Sequence, residues 1–346
     1  MIGDGEFEKP RLKAIQSKAL QYKEFVMPLD PEVAQFLQEV KDSGAPAYET
    51  MTPMEARRQE LVDLAIANAD RTPEAVAEVI HSFIPGPTAD LPVRIYRPQG
   101  VEVPETGAPA LIFIHGSGWV VSNIETNDHF SRALANRTGA VVIAVNYQKA
   151  PEHKFPIPMD DCYSATLWVF QQAKALGLDP KRIGIMGDSA GGNLAAAVTL
   201  RLRDEMGPLL ACQVLVYPAV HYGWDTESAR LHSTGYLLQR ESMKYYWHHY
   251  LRSPADGQNP YCSPLDAASH SCLPTALIYT AEYDPLCDDG FNYAQKLKLA
   301  GVPVSYKMYE GTIHGFIKML QRFTLAQTFL DELSEEVRPL LARQGE

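Results

Sequence analysis

The sequence predicts an α/β fold: a mostly parallel eight-stranded sheet flanked by helices, with a helical cap over one end. Three observations carry that expectation. From about residue 110 onward, short apolar runs rich in Val and Ile alternate with helix-forming stretches, the rhythm of a parallel sheet covered on both faces. One of those runs, Arg182-Ile183-Gly184-Ile185-Met186, ends in Gly187-Asp188-Ser189-Ala190-Gly191 and passes straight into the helix-forming stretch 192–202. The interval 219–262 breaks the alternation with irregular, aromatic sequence, as an insertion over the strand ends would.

The elements follow in chain order. Residues 1–50 read as polar, amphipathic helix interrupted by Pro28, Pro31 and Pro46. A second helix is expected from about Glu55 to Ala69. Val79–Ile84 and Leu91–Tyr96 read as paired strands joined through Pro85-Gly86-Pro87, because Pro and Gly punctuate turns. Strands are then expected at 110–115, 140–145, 182–186, 212–217, 275–280 and 304–309. Helices are expected at about 126–138, 159–176, 192–202 and 288–300. The core is therefore divided into 51–218 and 263–346 by the insertion 219–262.

Composition narrows the partners. With 31 basic against 42 acidic residues the formal net charge is −11, spread without long runs of one sign. That balance disfavours nucleic acid and anionic membrane surfaces and suits a small-molecule enzyme. The N-terminus shows no secretory pattern and no apolar run approaches a membrane span, so a cytoplasmic protein is expected. Five cysteines lack any C-x-x-C spacing and read as reduced thiols; Cys262 and Cys272 alone are close enough in sequence to suggest a bridge.

The pentapeptide at 187–191 carries the chemistry. A serine at a sharp strand-to-helix turn is held in a strained backbone conformation with Oγ above the sheet, and flanking glycines are needed because a Cβ would crowd the turn. A serine hydroxyl needs a base, and the base an orienting acid. In α/β-hydrolases these follow in the order Ser, acid, His. Of ten histidines only His314 lies beyond the 275–280 strand, in a Gly-flanked loop after the last strand. The acid is expected just past the preceding strand, where Asp284 is the first choice and Glu282 and Asp288 compete. Oxyanion donors are expected from the N–H of Ala190 and from the loop His115-Gly116-Ser117-Gly118-Trp119, with Gly116, Ser117 and Gly118 as candidates.

With these residues in place the chain resembles the hormone-sensitive-lipase group of carboxylesterases, in its GDSAG branch. The resemblance rests on HGSGW at 115–119, the segment 146–156, GDSAGGN at 187–193, DPLCDDG at 284–290 and HGF at 314–316. It implies an α/β-hydrolase core under a cap built from the N-terminal helices (1–50) and the insertion 219–262, and cofactor-free hydrolysis of short-to-medium acyl esters, often by homodimers. Ser189 is then the nucleophile, Asp284 the acid and His314 the base, with Ser117, Gly118 and Ala190 as oxyanion donors. Two departures stand out. Ser117 replaces the middle glycine of the usual His-Gly-Gly-Gly, and Gln148-Lys149 replace Arg-Leu in the usual Tyr-Arg-Leu-Ala-Pro-Glu. An amidase or acyltransferase could use the same triad, and a non-catalytic ligand receptor could share the fold, though a receptor has no use for His314.

Other conspicuous residues carry less. The aromatic run Tyr245–Tyr250 is expected to pack the cap, and Trp119, Tyr222, Trp224 and Tyr246 are candidates for the substrate pocket. The adjacent His248 and His249 point in different directions on a helix, so no metal site is expected there. Asp160 and Asp161 suit a helix start. His115 is expected to brace the oxyanion loop without moving a proton.

Overall fold

The computed structural model describes residues 28–67, 72–102 and 104–342. The expected helical stretch before residue 28 and the expected helix end at 68–69 lie outside them. Eight strands form one sheet: β1 (Glu78–Ile84), β2 (Leu91–Arg97), β3 (Ala108–Ile114), β4 (Val141–Val145), β5 (Leu178–Asp188), β6 (Cys212–Val216), β7 (Thr275–Tyr283) and β8 (Val304–Ile313). Their spatial order is β1-β2-β4-β3-β5-β6-β7-β8. β1 and β2 pair as the expected antiparallel hairpin, β2 runs antiparallel to β4, and the ladders from β4 through β8 are parallel.

The central strands are buried on both faces, which is why they read as unbroken apolar runs. In β3, Ala110, Ile112 and Ile114 join one core while Leu111 and Phe113 join the other, the period of two that a pleated strand imposes. Helices α4 (Ile157–Gln172), α5 (Ala190–Asp204) and α8 (Cys287–Leu299) cover the first face; α3 (Asp128–Thr138) covers the second. With it packs α9 (Thr324–Leu340), which lies beyond the last motif and was not among the expected elements. Its Phe329, Leu330, Leu333 and Val337 are fully buried at helical spacing.

Above the strand ends lie α1 (Pro31–Ser43), α2 (Pro53–Ala67), α6 (Glu227–Leu231) and α7 (Arg240–Tyr250). The interval 219–262 is thus partly helical. Helix α1 is capped by Asp30, whose carboxylate accepts the N–H of Glu32 at 2.8 Å, and it stops at Gly44 in the left-handed conformation. Arg57 on α2 fastens that helix to the core: it donates to the carbonyls of Val120 at 2.8 Å and Ala150 at 2.9 Å and pairs with Glu152 at 2.7 Å. All five cysteines are free, so Cys262 and Cys272 are not bridged. No helix among the described residues is long and apolar enough to cross a membrane.

Candidate active site

Each candidate segment starts one residue after the C-terminal end of a parallel strand. β3 delivers His115, β5 delivers Ser189, β7 delivers Asp284 and β8 delivers His314, the crevice edge where open α/β sheets bind ligands. Ser189 has φ 56° and ψ −121°, a conformation that costs a side-chain-bearing residue roughly 1–3 kcal/mol. The turn is closed from behind. A Cβ on Gly187 would lie 2.2 Å from the Gly191 carbonyl oxygen, and one on Gly191 would lie 2.0 Å from that of Ile114. At either place a larger residue would have to push backbone aside.

The three side chains meet. His314 Nε2 lies 2.9 Å from Ser189 Oγ, and Nδ1 lies 2.7 Å from Asp284 Oδ2. Asp284 is fully buried, and its other oxygen accepts the N–H of Leu286 at 2.8 Å. A carboxylate so placed can only accept, so Nδ1 carries the proton and Nε2 is left to accept from the serine hydroxyl. The ring of Tyr217, centroid 4.4 Å from that of His314, packs beside the imidazole. The competing acids are engaged elsewhere. Glu282 Oε2 accepts the N–H of Gly311 at 2.7 Å, and Asp288 Oδ2 accepts that of Ser228 at 3.0 Å.

Ser117, Gly118 and Trp119 have φ of 74°, 62° and 60°, so three successive residues turn left-handed over the strand-to-helix elbow that carries Ser189. The N–H groups of Ser117 and Gly118 carry no hydrogen bond among the described residues, and Ala190 N–H stands in the first turn of α5, where helix N–H groups lack intrahelical partners. Gly116 differs from the expectation. Its N–H donates to Asp188 Oδ1 at 2.9 Å and is therefore spent on joining the loop to the elbow strand. His115 lies behind the loop, with Nδ1 3.1 Å from the Gly116 carbonyl and its ring stacked on Tyr147 at 4.5 Å. Burial holds its pKa well below the usual imidazole value, so it is a neutral brace.

A cavity of about 180 Å³ opens over Ser189 and His314, walled by Trp119, Met243, Tyr246 and Leu286 among others. Its Tyr246 ring lies against Gly118, where a Cβ would come within 2.2 Å of it. Tyr222 and Trp224 are a correction: they do not reach the cavity. Tyr222 packs edge-on against Trp224 and Trp247, at 5.6 and 5.4 Å, one layer behind. Trp119 is both wall and keystone, its indole stacked on Tyr250 at 4.2 Å with planes 3° apart. Sequence reasoning missed two charged residues here. Lys318 lines the cavity, and Glu60 of α2 bonds to Ser117; neither belongs to a motif. Among the described residues no cluster of three or more His, Cys, Asp or Glu could hold a metal ion.

Comparison with known proteins agrees with this architecture. The family model for the alpha/beta hydrolase fold matches residues 111–318. An ethyl acetate hydrolase of Pseudomonas putida is 37% identical over 303 residues, covering 85% of this chain and 93% of the relative. An arylesterase of Saccharolobus solfataricus is 38% identical over 292 residues, covering 84% and 93%. The solved structure of a hyperthermophilic esterase from Pyrobaculum calidifontis, 37% identical, superposes with a TM-score of 0.85 over 91% of this chain and all of that one. Sheet and family match together define an α/β hydrolase. The chain belongs to the hormone-sensitive-lipase-like carboxylesterases of that fold, enzymes that hydrolyse carboxylic esters.

Proposed function

We propose that the chain hydrolyses short-to-medium-chain acyl esters through a Ser189–His314–Asp284 triad and an acyl-enzyme. The observation that carries this reading is the continuous path from Ser189 Oγ through both nitrogens of His314 to the buried Asp284, at 2.9 and 2.7 Å. His314 Nε2 takes the hydroxyl proton as Oγ attacks the ester carbonyl. The carbonyl oxygen becomes an oxyanion facing the N–H groups of Ser117, Gly118 and Ala190. The tetrahedral intermediate collapses, the C–O bond to the alcohol breaks, and His314 returns the proton to the leaving alkoxide. Water then repeats the sequence on the acyl-serine and releases the acid.

The apolar walls and modest volume of the cavity favour short acyl chains. The relatives act, by name, on ethyl acetate and aryl esters. The same reading assigns 51–218 and 263–346 to the core and 1–50 and 219–262 to the cap. Helix α2, at the start of the first core segment, borders the cap, and its Arg57 and Glu60 hold loops over the strand ends. A cytoplasmic homodimer completes the proposal, and light scattering of the purified protein tests the dimer. The activity is tested by p-nitrophenyl esters from acetate to palmitate, run on the wild type and Ser189→Ala. Turnover should peak at short chains and vanish in the variant; undiminished hydrolysis by Ser189→Ala refutes the mechanism.

A further inference from the structure

The oxyanion loop adopts a conformation that its own sequence does not favour. Two of its three left-handed residues, Ser117 and Trp119, carry a Cβ, and such residues persist only where the surroundings over-determine them. Trp119 is fixed by its stack on Tyr250. Ser117 is fixed differently. Its hydroxyl donates to Glu60 Oε1 at 3.0 Å and accepts from Lys318 Nζ at 3.2 Å. An ammonium can only donate, so the hydroxyl proton is directed to Glu60 and the rotor is set. The partners stand 57 residues before Ser117 and 201 after it.

Lys318 reaches further. Its ammonium also lies 3.6 Å from Asp188 Oδ2, in an ion pair whose side chains are 17% and 2% exposed. Asp188 immediately precedes the nucleophile, and its other oxygen holds Gly116 N–H at 2.9 Å. The proposed oxyanion donors come from two separate segments, Ala190 on the elbow and Ser117 and Gly118 on the loop. Lys318 touches both segments, and it stands four residues after His314 on the loop that carries the base. The cation is therefore placed to fix the spacing of nucleophile and donors.

We propose that Lys318, acting through Ser117 and Asp188 with Glu60 as the outer anchor, is a positioning residue that holds the two halves of the oxyanion hole in register. This rests on the esterase reading above. It accounts for a serine where the family resemblance leads one to expect glycine: a glycine needs no strut to turn left-handed, whereas a serine supplies the hydroxyl that the strut grips. The effect is exerted on the transition state, since the oxyanion exists only there. Loss of the strut should lower kcat and leave KM nearly unchanged.

The test uses Lys318→Met, Lys318→Arg, Ser117→Ala and the double variant Lys318→Met/Ser117→Ala, with Ser189→Ala as control. Each is assayed for kcat and KM on p-nitrophenyl butyrate, for inhibition by an alkyl trifluoromethyl ketone, and for thermal unfolding by circular dichroism. The ketone adds to the serine and presents an oxyanion; a matched secondary alcohol fills the same cavity without one. Lys318→Met should lower kcat by roughly ten- to a hundredfold, the range expected of a misplacement below about 1 Å. KM and alcohol affinity should hold while ketone affinity falls in step with kcat. Lys318→Arg should recover most of the loss, and Lys318→Met should add little in the Ser117→Ala background. An unchanged kcat, a loss confined to KM, or full additivity with Ser117→Ala overturns the proposal. If Lys318→Met fails to fold, Ser117→Ala decides alone, since wild-type ketone affinity there removes the strut from the account. Turnover surviving in Ser189→Ala would instead sink the esterase mechanism itself.

Discussion

Gly191→Ala isolates the dependence of activity on the fit between elbow and oxyanion loop. Gly191 lies in the first turn of α5 with an ordinary helical backbone, so alanine is favoured by helix propensity, by up to about 1 kcal/mol. Sterics oppose it. The new Cβ would lie 2.0 Å from the Ile114 carbonyl oxygen and 2.7 Å from both the carbonyl carbon and oxygen of His115. These are backbone atoms that cannot rotate aside. Restoring an ordinary contact of 3.4 Å requires the strand end and loop to retreat by about 1.4 Å, and overpacking of this kind costs about 1–3 kcal/mol. Stability should therefore fall by only about 1–2 kcal/mol, a few degrees in Tm. Activity should fall much further, because the displaced segment leads directly to Ser117 and Gly118. A shift near 1 Å is worth about a hundredfold in rate. The assay pairs kcat/KM on p-nitrophenyl butyrate with a melting curve. A well-folded variant within about threefold of wild-type kcat/KM would refute the reasoning.

Three further outcomes are expected. Asp284→Asn keeps the shape but no longer holds the histidine in the required tautomer, so kcat should drop by about 10⁴ with little change in fold; stopped-flow ester hydrolysis measures it. Burial pushes the Asp161 carboxyl up to about 6. Because this folded pKa lies above the unfolded one, near 3.9, the group's contribution is fully favourable below about pH 4 and is lost as pH rises through 6. Asp161→Asn can still accept the Gln148 N–H, so it should gain on wild type between pH 4.5 and 7.5, by roughly 1–2 kcal/mol after solvent screening; melts at the two pH values check the sign. Tyr246→Ala removes a cavity wall and should shift the ester preference toward longer chains, whereas Trp224→Ala should lower Tm and leave the chain-length profile alone.

The fold was readable because the central strands are buried on both faces, so their apolar runs appear without interruption between helices. The candidate triad was readable for a related reason. Ser189, Asp284 and His314 each follow a strand end, and a strand end is visible where an apolar run meets Gly, Pro or a polar residue. Chain order then left a single histidine to choose. The strut was not readable. Glu60 occupies one turn of a polar helix and Lys318 a short turn after His314, and no periodicity relates positions 201 residues apart. The cavity wall was half readable for the same reason. Tyr246 and Tyr222 look alike in sequence, and only the packing of α7 on Gly118 puts one in front of the other. Gly116 was misplaced because a Gly-rich loop does not say which of its N–H groups turns inward. Helix α9 carries a clear helical repeat, but it follows the last motif and no site depends on it.

The central claim is that Ser189 becomes acylated while His314 and Asp284 serve it. Diethyl p-nitrophenyl phosphate tests this most directly: an activated serine displaces p-nitrophenolate and keeps a diethylphosphoryl group too slow to hydrolyse. Peptide mass mapping should find that group on Ser189 alone, with esterase activity lost in proportion to the labelled fraction. Label on another residue, or full activity in a chain labelled at Ser189, would contradict the account.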